Sequence, residues 1–213
     1  MIIGIAGRIG SGKDTVGEII QELCLSNHGP VFEVKKFAGK LKQIASLLTG
    51  IPVEDFEDQE FKKSYLGAEW GTVESNPLNA VPVFENIEFN HLMSVRELLQ
   101  KLGTEAIRDG LHPNAWVNAL MCEYKRPKMS EYNPSNWIIT DVRFPNELEA
   151  VEDVKGLTLK VVRPVEKSKT PARLHPSETS LDKAEFDYEI INDGSIKDLI
   201  EKVRIILITE KII

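Results

Sequence analysis

The sequence predicts an α/β protein in which three layers, helix, sheet and helix, form around a five-stranded parallel sheet. Five short apolar, mostly β-branched runs alternate with longer segments of helical periodicity, as happens when helices cross over between parallel strands. The chain of 213 residues is long enough for one well-buried domain. Its composition, 42% apolar and 28% charged, is that of an ordinary soluble globular protein.

The elements follow from the apolar runs and the helical periods between them. Strands are predicted over residues 2–6, 31–35, 137–140, 157–162 and 188–191. Helices are predicted over about 14–25, 38–48 and 195–207.

The segment 50–93 does not fit this alternation, because it is acidic, contains three prolines and has no clear period. A helix then starts at Ser94, where Ser94 and Glu97 have the spacing of a capping box. Its predicted buried stripe has the 3.6-residue period and consists of Val95, Leu98, Leu99, Leu102 and Ala106. A further helix is predicted to start near Pro113.

A second irregular segment, RPVEKSKTPARLHPSETS (163–180), separates the fourth and fifth strands. It is charged and contains prolines, which is typical of a lid rather than a packed element. Arg163 and Arg173 are candidate cations that close over a phosphoryl group, although charged loops are commonly only solvated.

The stretch GRIGSGKDT (7–15) follows the first strand and precedes the first helix. Gly7, Gly12 and Lys13 match the pattern G-x-x-x-x-G-K in the context that this phosphate-binding motif requires. Backbone N–H groups and the helix N-terminus can surround a phosphate there, with Lys13 as a point charge. The alternative is a glycine-rich turn with a surface lysine. Asp14 stands where the motif has Ser or Thr, so either Asp14 or Thr15 is the candidate Mg²⁺ ligand.

The stretch NWIITDVRFPNE (136–147) contains an apolar strand that ends in Asp141. Ligands bind at the carboxyl ends of parallel strands, so this carboxylate is a candidate metal-associated acid. An aspartate at a strand end also commonly caps a helix or forms a turn. Arg143 favours the ligand interpretation, because arginine can form a bidentate pair with a phosphate.

Arg96, Gln100 and Gly103 share a stripe of the helix after Ser94. A polar helical stripe is commonly only solvated. Glycine, however, costs about 1 kcal/mol in a helix interior, and beside Arg and Gln it suits close approach of a flat base. Trp116 fits either the core or a base-stacking surface.

Several motifs together resemble one family, the bacteriophage-type deoxynucleoside-monophosphate kinases. The resemblance covers nearly the whole chain except 50–93, and the aspartate after the loop lysine is itself a trait of that family. Animal-type phosphomevalonate kinases look similar at the loop alone. The motifs that carry the resemblance are GRIGSGKDT, FAGKLK (37–42), VRELLQKLGTEAIR (95–108), Trp116, ITDVRFPNE (139–147), HPSE (175–178) and NDGSI (192–196).

The resemblance implies a nucleoside-monophosphate-kinase-like fold: a single P-loop domain over 1–213, with an acceptor-binding insertion at about 50–93 and a lid at about 164–184. It implies ATP as donor, Mg²⁺, and a deoxynucleoside monophosphate as acceptor. The residues implied for the ATP phosphates and Mg²⁺ are Gly10, Gly12, Lys13, Asp14 and Thr15. Those implied for the acceptor are Leu41, Lys42, Arg96, Gly103, Trp116, Asp141, Val142, Arg143 and Glu147. The expected catalytic residues are Lys13, Asp141 and Arg143.

Charge and cysteine content bound the partners and the location. A net charge of −7 argues against nonspecific nucleic-acid binding and against anionic membranes, which both require a broad positive surface. Cys24 and Cys122 have no metal-type spacing, and no signal peptide precedes the first strand, so we expect reduced cysteines and a cytoplasmic location. A small-molecule acceptor is the expected partner, and a homodimer is left open.

Two other functions are compatible with some of these sequence features. Another small-molecule kinase, such as dephospho-coenzyme A kinase, would use the same donor site with a different acceptor pocket. A non-catalytic, regulatory ATP-binding protein would keep only the loop.

Overall fold

The computed structural model of the chain describes residues 1–71, 92–125, 136–164 and 179–213. Five strands form one all-parallel sheet in the order β2-β3-β1-β4-β5, which confirms the predicted fold class. The strands are β1 Ile2–Ala6, β2 Glu33–Lys35, β3 Trp137–Val142, β4 Leu157–Val162 and β5 Tyr188–Ile191.

The central strand β1 is buried along its whole length, because helices cover both faces of the sheet. One face packs with helices α1 (Lys13–Ser26) and α6 (Ile196–Thr209). The other packs with α4 (Ala115–Lys125) and α5 (Pro145–Glu152). All five strands therefore end at one edge, where the loops after β1 and β3 begin.

The strand bounds differ from the prediction at two places. β2 begins at Glu33 instead of residue 31, since Val31 is 70% exposed and lies outside the sheet. β3 continues two residues beyond Thr140, because Val142 still pairs with Ala6 of β1 across a register shift. Asp141 is thus a strand residue rather than the residue that ends a strand.

The chain divides into two compact units. The first, residues 1–37 and 116–213, contains the sheet. The second, residues 38–115, contains helices α2 (Gly39–Thr49) and α3 (Val95–Gln100). Its own core consists of Ala45, Phe56, Leu66, Val95 and Leu98.

The remaining described helical elements of the second unit are three short 3₁₀ helices and one π-helix. Single 3₁₀ turns occupy Val53–Glu57, Phe61–Lys63 and Ala68–Trp70. Residues 72–91 of the predicted insertion and residues 165–178 of the predicted lid lie outside the described residues. The second range includes Arg173 and His175.

Helix α3 begins as predicted, with the Ser94 hydroxyl accepting the N–H of Glu97 at 3.2 Å. It continues directly as a π-helix over Lys101–Asp109. Each π turn closes on the fifth residue, so the faces drift away from a 3.6-residue stripe. For this reason the predicted core position Ala106 is wrong: it is exposed, and Gly103 is buried instead. Helix α4 begins at Ala115 rather than near Pro113.

Both cysteines are free thiols, with Cys24 buried and Cys122 exposed. In the described part of the chain, no helix combines the length and apolar character that crossing a membrane requires.

Two neighbouring isoleucines of α6 test the packing against the sheet. Ile206 is 7% exposed and belongs to the core, whereas Ile205 is 62% exposed. Ile206→Ala should lower the free energy of unfolding by about 2–5 kcal/mol, because it removes buried methyl groups and leaves a cavity. Urea unfolding followed by circular dichroism measures this change.

Ile205→Ala is the matched control and should change the free energy of unfolding by about 0.5 kcal/mol or less. Equal losses for the two variants would contradict the orientation of α6.

Candidate functional site

The loop between β1 and α1 has the geometry of a phosphate-binding loop. Gly12 lies immediately before α1 with a φ of 99°, in the left-handed region that favours glycine. Gly10 has a φ of 77°, and a Cβ built there meets nothing within 4 Å, so this side of the loop is open. The first N–H groups of a helix lack intrahelical acceptors and carry partial positive charge. The loop therefore offers an anion site at the start of α1.

Lys13 is the first residue of α1, and its side chain is buried, with only 7% exposed. Thr15, one of the two predicted metal ligands, is half-buried in the first turn. The five predicted donor residues thus form one continuous segment from the loop into α1.

Asp14 links this segment to the ends of two strands. Its carboxylate accepts the hydroxyl hydrogen of Thr140 in β3 at 2.8 Å. The ammonium group of Lys36, just after β2, lies 3.6 Å from the same oxygen. The carboxylate is nevertheless 60% exposed, so it remains accessible to a metal ion or its bound water.

The pKa of Asp14 lies below its ordinary value of 3.8. Partial burial acts to raise this pKa, but the Thr140 hydrogen bond and the charges of Lys36 and Lys13 together outweigh it. The group is therefore an anion at neutral pH. Its contribution to stability is present above the unfolded pKa and is lost as the pH falls through the folded pKa.

Asn192, the residue directly after β5, also holds the loop. Its side-chain N–H donates to the carbonyl oxygen of Ser11 at 2.8 Å, and the residue is only 9% exposed. The sequence offered one signal for this residue, its place in the NDGSI motif of the family resemblance, and no role for it was predicted.

The end of β3 holds the predicted residues 141–143. Asp141 is 8% exposed, and its carboxylate accepts the backbone N–H of Phe37 at 2.8 Å. The side chain of Val142 is in the core, so a contact with an acceptor would have to come from its backbone. Arg143 is half-buried and lines a cleft beside the loop.

Glu147 supports the backbone at Arg143. Its carboxylate accepts the N–H of Arg143 at 2.8 Å and that of Phe144 at 3.2 Å, and the residue is 2% exposed. The structure thus places Glu147 where it holds the backbone at Arg143 and Phe144. A direct contact with an acceptor stays a prediction.

The cleft has a volume of about 580 Å³ and is lined by the phosphate loop, by the ends of β3 and β4, and by residues 181–182. Arg8 pairs with Asp182 at 2.8 Å, and Arg163 donates to the carbonyl oxygen of Gly10 at 3.3 Å. The ammonium group of Lys160 donates to the carbonyl oxygen of Leu181 at 3.1 Å. Residues 181–182, near the end of the predicted lid, are therefore anchored to this cleft.

The second unit holds four of the predicted acceptor residues. Lys42 is buried and pairs with the carboxylate of Glu57, and Arg96 donates to the side-chain oxygen of Gln59 at 3.3 Å. Glu57 and Gln59 lie in the segment whose pattern gave no period, so sequence reasoning missed both.

Gly103 is buried against helix α2 within the same unit. A Cβ built at Gly103 would come within 2.8 Å of the Leu41 side chain. Packing against Leu41 explains a glycine here, and the approach of a base stays a prediction. Trp116 is 6% exposed at the start of α4 in the first unit, and its role in stacking likewise stays a prediction.

Comparisons with known proteins point to one family. A family model described as deoxynucleotide monophosphate kinase matches residues 54–203. The chain is 26% identical, over an alignment 232 residues long, to the deoxynucleoside-5′-monophosphate kinase of Escherichia phage T5. This match covers 90% of this chain and 89% of that protein. It is 33% identical over 122 residues to the deoxynucleotide monophosphate kinase of Enterobacteria phage T4, covering 57% of this chain and 48% of that protein. The family match begins after the phosphate loop, whereas the match to the phage T5 protein extends over nine-tenths of the chain.

The contact between Thr140 and Asp14 predicts a pKa change. Thr140→Val removes a hydrogen bond to the charged carboxylate, so the pKa of Asp14 should rise. NMR titration of the Asp14 carboxyl carbon measures this shift. Thr158→Val is the matched control, because the Thr158 hydroxyl donates to Asp187 instead, at 2.8 Å. A shift of the same size in both variants would contradict the assigned contact.

Proposed function

This chain belongs to the deoxynucleotide monophosphate kinase family and is a nucleotide kinase, and on that premise we propose that it transfers the γ-phosphoryl group of ATP to a deoxynucleoside monophosphate. The products are the deoxynucleoside diphosphate and ADP. The observation that carries the donor half is the glycine loop at the start of α1, with Gly12 in the left-handed region and Lys13 buried beside it. None of the relatives named above favours dephospho-coenzyme A as acceptor or a non-catalytic role.

The donor phosphates are proposed to lie on the loop. Gly10 and Gly12 let the backbone come close to them, and the N-terminus of α1 contributes partial positive charge. Lys13 supplies a full charge at the same place. Together these groups neutralise charge on the triphosphate before and during transfer.

The residues beside Lys13 fit a magnesium ion. Mg²⁺ prefers oxygen ligands, retains several waters and commonly uses one or two carboxylates together with substrate phosphates. Asp14 and Thr15 offer a largely exposed, ionised carboxylate and a hydroxyl, and no cluster of three or more acidic, His or Cys side chains occurs among the described residues. At such a site the ion would take its other ligands from the donor phosphates and from water. When bound, Mg²⁺ would offset the negative charge of the donor phosphates.

The acceptor phosphate is proposed to bind through the cations that the family resemblance implies, Lys42, Arg96 and Arg143. Leu41, Gly103 and Trp116 are the residues proposed to contact the nucleoside. Asp141 and Val142 of β3 and Glu147 of α5 are those proposed to position it. Glu57 and Gln59 hold Lys42 and Arg96 in the described structure, so the acceptor phosphate would share or replace these partners.

Phosphoryl transfer to this acceptor requires positioning and charge neutralisation more than a general base. The 5′-phosphate of the acceptor is a monoester that is largely ionised at neutral pH, so its oxygen attacks without a strong general base. Lys13 acts on the donor and Arg143 on the transferring group, while Asp141 holds the backbone at Phe37. ADP release measured over a panel of nucleoside monophosphates, with dephospho-coenzyme A included, tests the proposal. Activity on dephospho-coenzyme A alone would overturn it.

Lys13→Ala should lower the rate of ADP release roughly 100-fold or more, because it removes the loop's ammonium charge from the donor phosphates. Lys197→Ala is the matched control, since Lys197 is exposed in the first turn of α6. Thermal melts establish that both variants are folded. A folded Lys13→Ala variant with a near-normal rate would sink the assignment of the donor site.

Asp14→Asn should raise the Mg²⁺ concentration needed for half-maximal rate, because it removes the negative charge from the proposed ligand. Thr15→Val is the paired variant, and titration of Mg²⁺ at fixed ATP is the measurement. An unchanged requirement in Asp14→Asn, together with a large shift in Thr15→Val, would move the ligand to Thr15.

Arg96→Ala and Arg143→Ala should each lower kcat/KM for the deoxynucleoside monophosphate roughly 10- to 150-fold, with little change in KM for ATP. The reason is the loss of one charge-assisted contact to the acceptor phosphate. Lys101→Ala is the control in the second unit, because Lys101 pairs with Glu97, 3.4 Å away. Losses for Arg96→Ala and Lys101→Ala that are equal would contradict a specific role for Arg96.

A further inference from the structure

Asn192 is fixed on both sides, although the reaction described above assigns it no role. Its backbone N–H donates to the carbonyl oxygen of Val162 at 2.7 Å, which continues the pairing of β5 with β4. Its side-chain N–H donates to the carbonyl oxygen of Ser11 in the phosphate loop at 2.8 Å. The sheet therefore holds this amide in place, and the amide contacts the loop at one defined peptide group.

The position of the Asn192 side chain also explains why a glycine, Gly12, follows Ser11 in the loop. A Cβ built at Gly12 would lie 2.6 Å from the side-chain nitrogen of Asn192. Hence the amide occupies the space that a side chain at position 12 would need. The left-handed φ of Gly12 and the packing of Asn192 each disfavour any other residue at position 12.

The direction of one peptide group follows from this hydrogen bond. A trans peptide is planar, and its C=O and N–H point in opposite directions. Because the Ser11 carbonyl is turned toward Asn192, the N–H of Gly12 is turned to the opposite side. If the peptide rotated, a carbonyl oxygen would take the place of that N–H and would repel an anion.

We propose that Asn192 is a positioning residue for the donor site, whose side-chain amide fixes the Ser11–Gly12 peptide so that the Gly12 N–H faces the donor phosphates. The inference rests on the proposed function, since it assumes that the loop binds phosphates. In this role Asn192 acts through the loop backbone that it contacts.

A control variant on α1 distinguishes a positioning role of Asn192 from a merely structural one. The side chain of Asn27 donates to the carbonyl oxygen of Leu23, also at 2.8 Å, but it does so at the end of α1 that is far from the loop. Asn27→Ala thus removes a hydrogen bond of the same type and length. Asn192→Asp keeps the shape of the side chain, removes its donor and places a carboxylate against the Ser11 oxygen.

The experiment measures ADP and dGMP affinities by calorimetry for wild type, N192A, N192D and N27A, with thermal melts for each. N192A should weaken ADP binding about 10-fold and N192D more, while N27A stays within about twofold of wild type. The affinity for dGMP should be unchanged in all variants. In turnover assays, N192A should raise KM for ATP and leave KM for the acceptor unchanged.

Wild-type ADP affinity in folded N192D overturns the inference, and so does an equal loss of ADP and dGMP affinity in N192A. If N192A does not fold, N192D decides the question, because its side chain fills the same space. A third outcome separates the two proposals. If wild type binds ADP and N192D weakens that binding, but wild type phosphorylates no nucleoside monophosphate, the proposed function is overturned and the role of Asn192 stands.

Discussion

A left-handed backbone at Gly12, packed against the side chain of Asn192, is the constraint on which the proposed donor site depends. The loop can take this conformation because β1 delivers the chain to the carboxyl edge of the sheet and α1 leaves from the same place. Burial of β1 on both faces fixes its position, and its neighbours β3 and β4 carry the other residues of the site. Local backbone geometry and the order of the strands therefore produce one anion site together.

Charge in this acidic protein is arranged locally. The net charge is −7, yet three of the basic groups near the proposed nucleotide sites pair with carboxylates: Lys36 with Asp14, Lys42 with Glu57 and Arg8 with Asp182. Such pairs keep long cationic side chains oriented before a phosphate arrives, which reduces the ordering that binding must otherwise impose. Exposed pairs contribute little to stability, so their arrangement is better explained by positioning.

The sheet could be predicted from sequence because its strands are buried, β-branched runs between helical periods, as in residues 2–6 and 157–162. The phosphate loop could be predicted for a related reason, since glycine spacing reports backbone geometry directly. The start of β2 could not be predicted, because Val31 is β-branched like a strand residue but is exposed and lies outside the sheet. The π-helix at Lys101–Asp109 could not be predicted, because an apolar helical stripe is recognised by a constant 3.6-residue period. The predicted burial of Ala106 was wrong for this reason. Asn192, Glu57 and Gln59 act through contacts between segments distant in sequence, and a single sequence contains no periodicity that reveals such contacts.

The most direct test of the central claim is the amide NMR spectrum of the protein titrated with ADP. Phosphates held by the loop should move the N–H resonances of Gly10, Gly12 and Lys13 downfield, because those groups donate hydrogen bonds to an anion. Resonances of the exposed residues of α6, such as Lys197, should not move. If ADP leaves the three loop resonances unchanged, or moves mainly resonances elsewhere, the donor phosphates do not bind at this loop and the account is wrong.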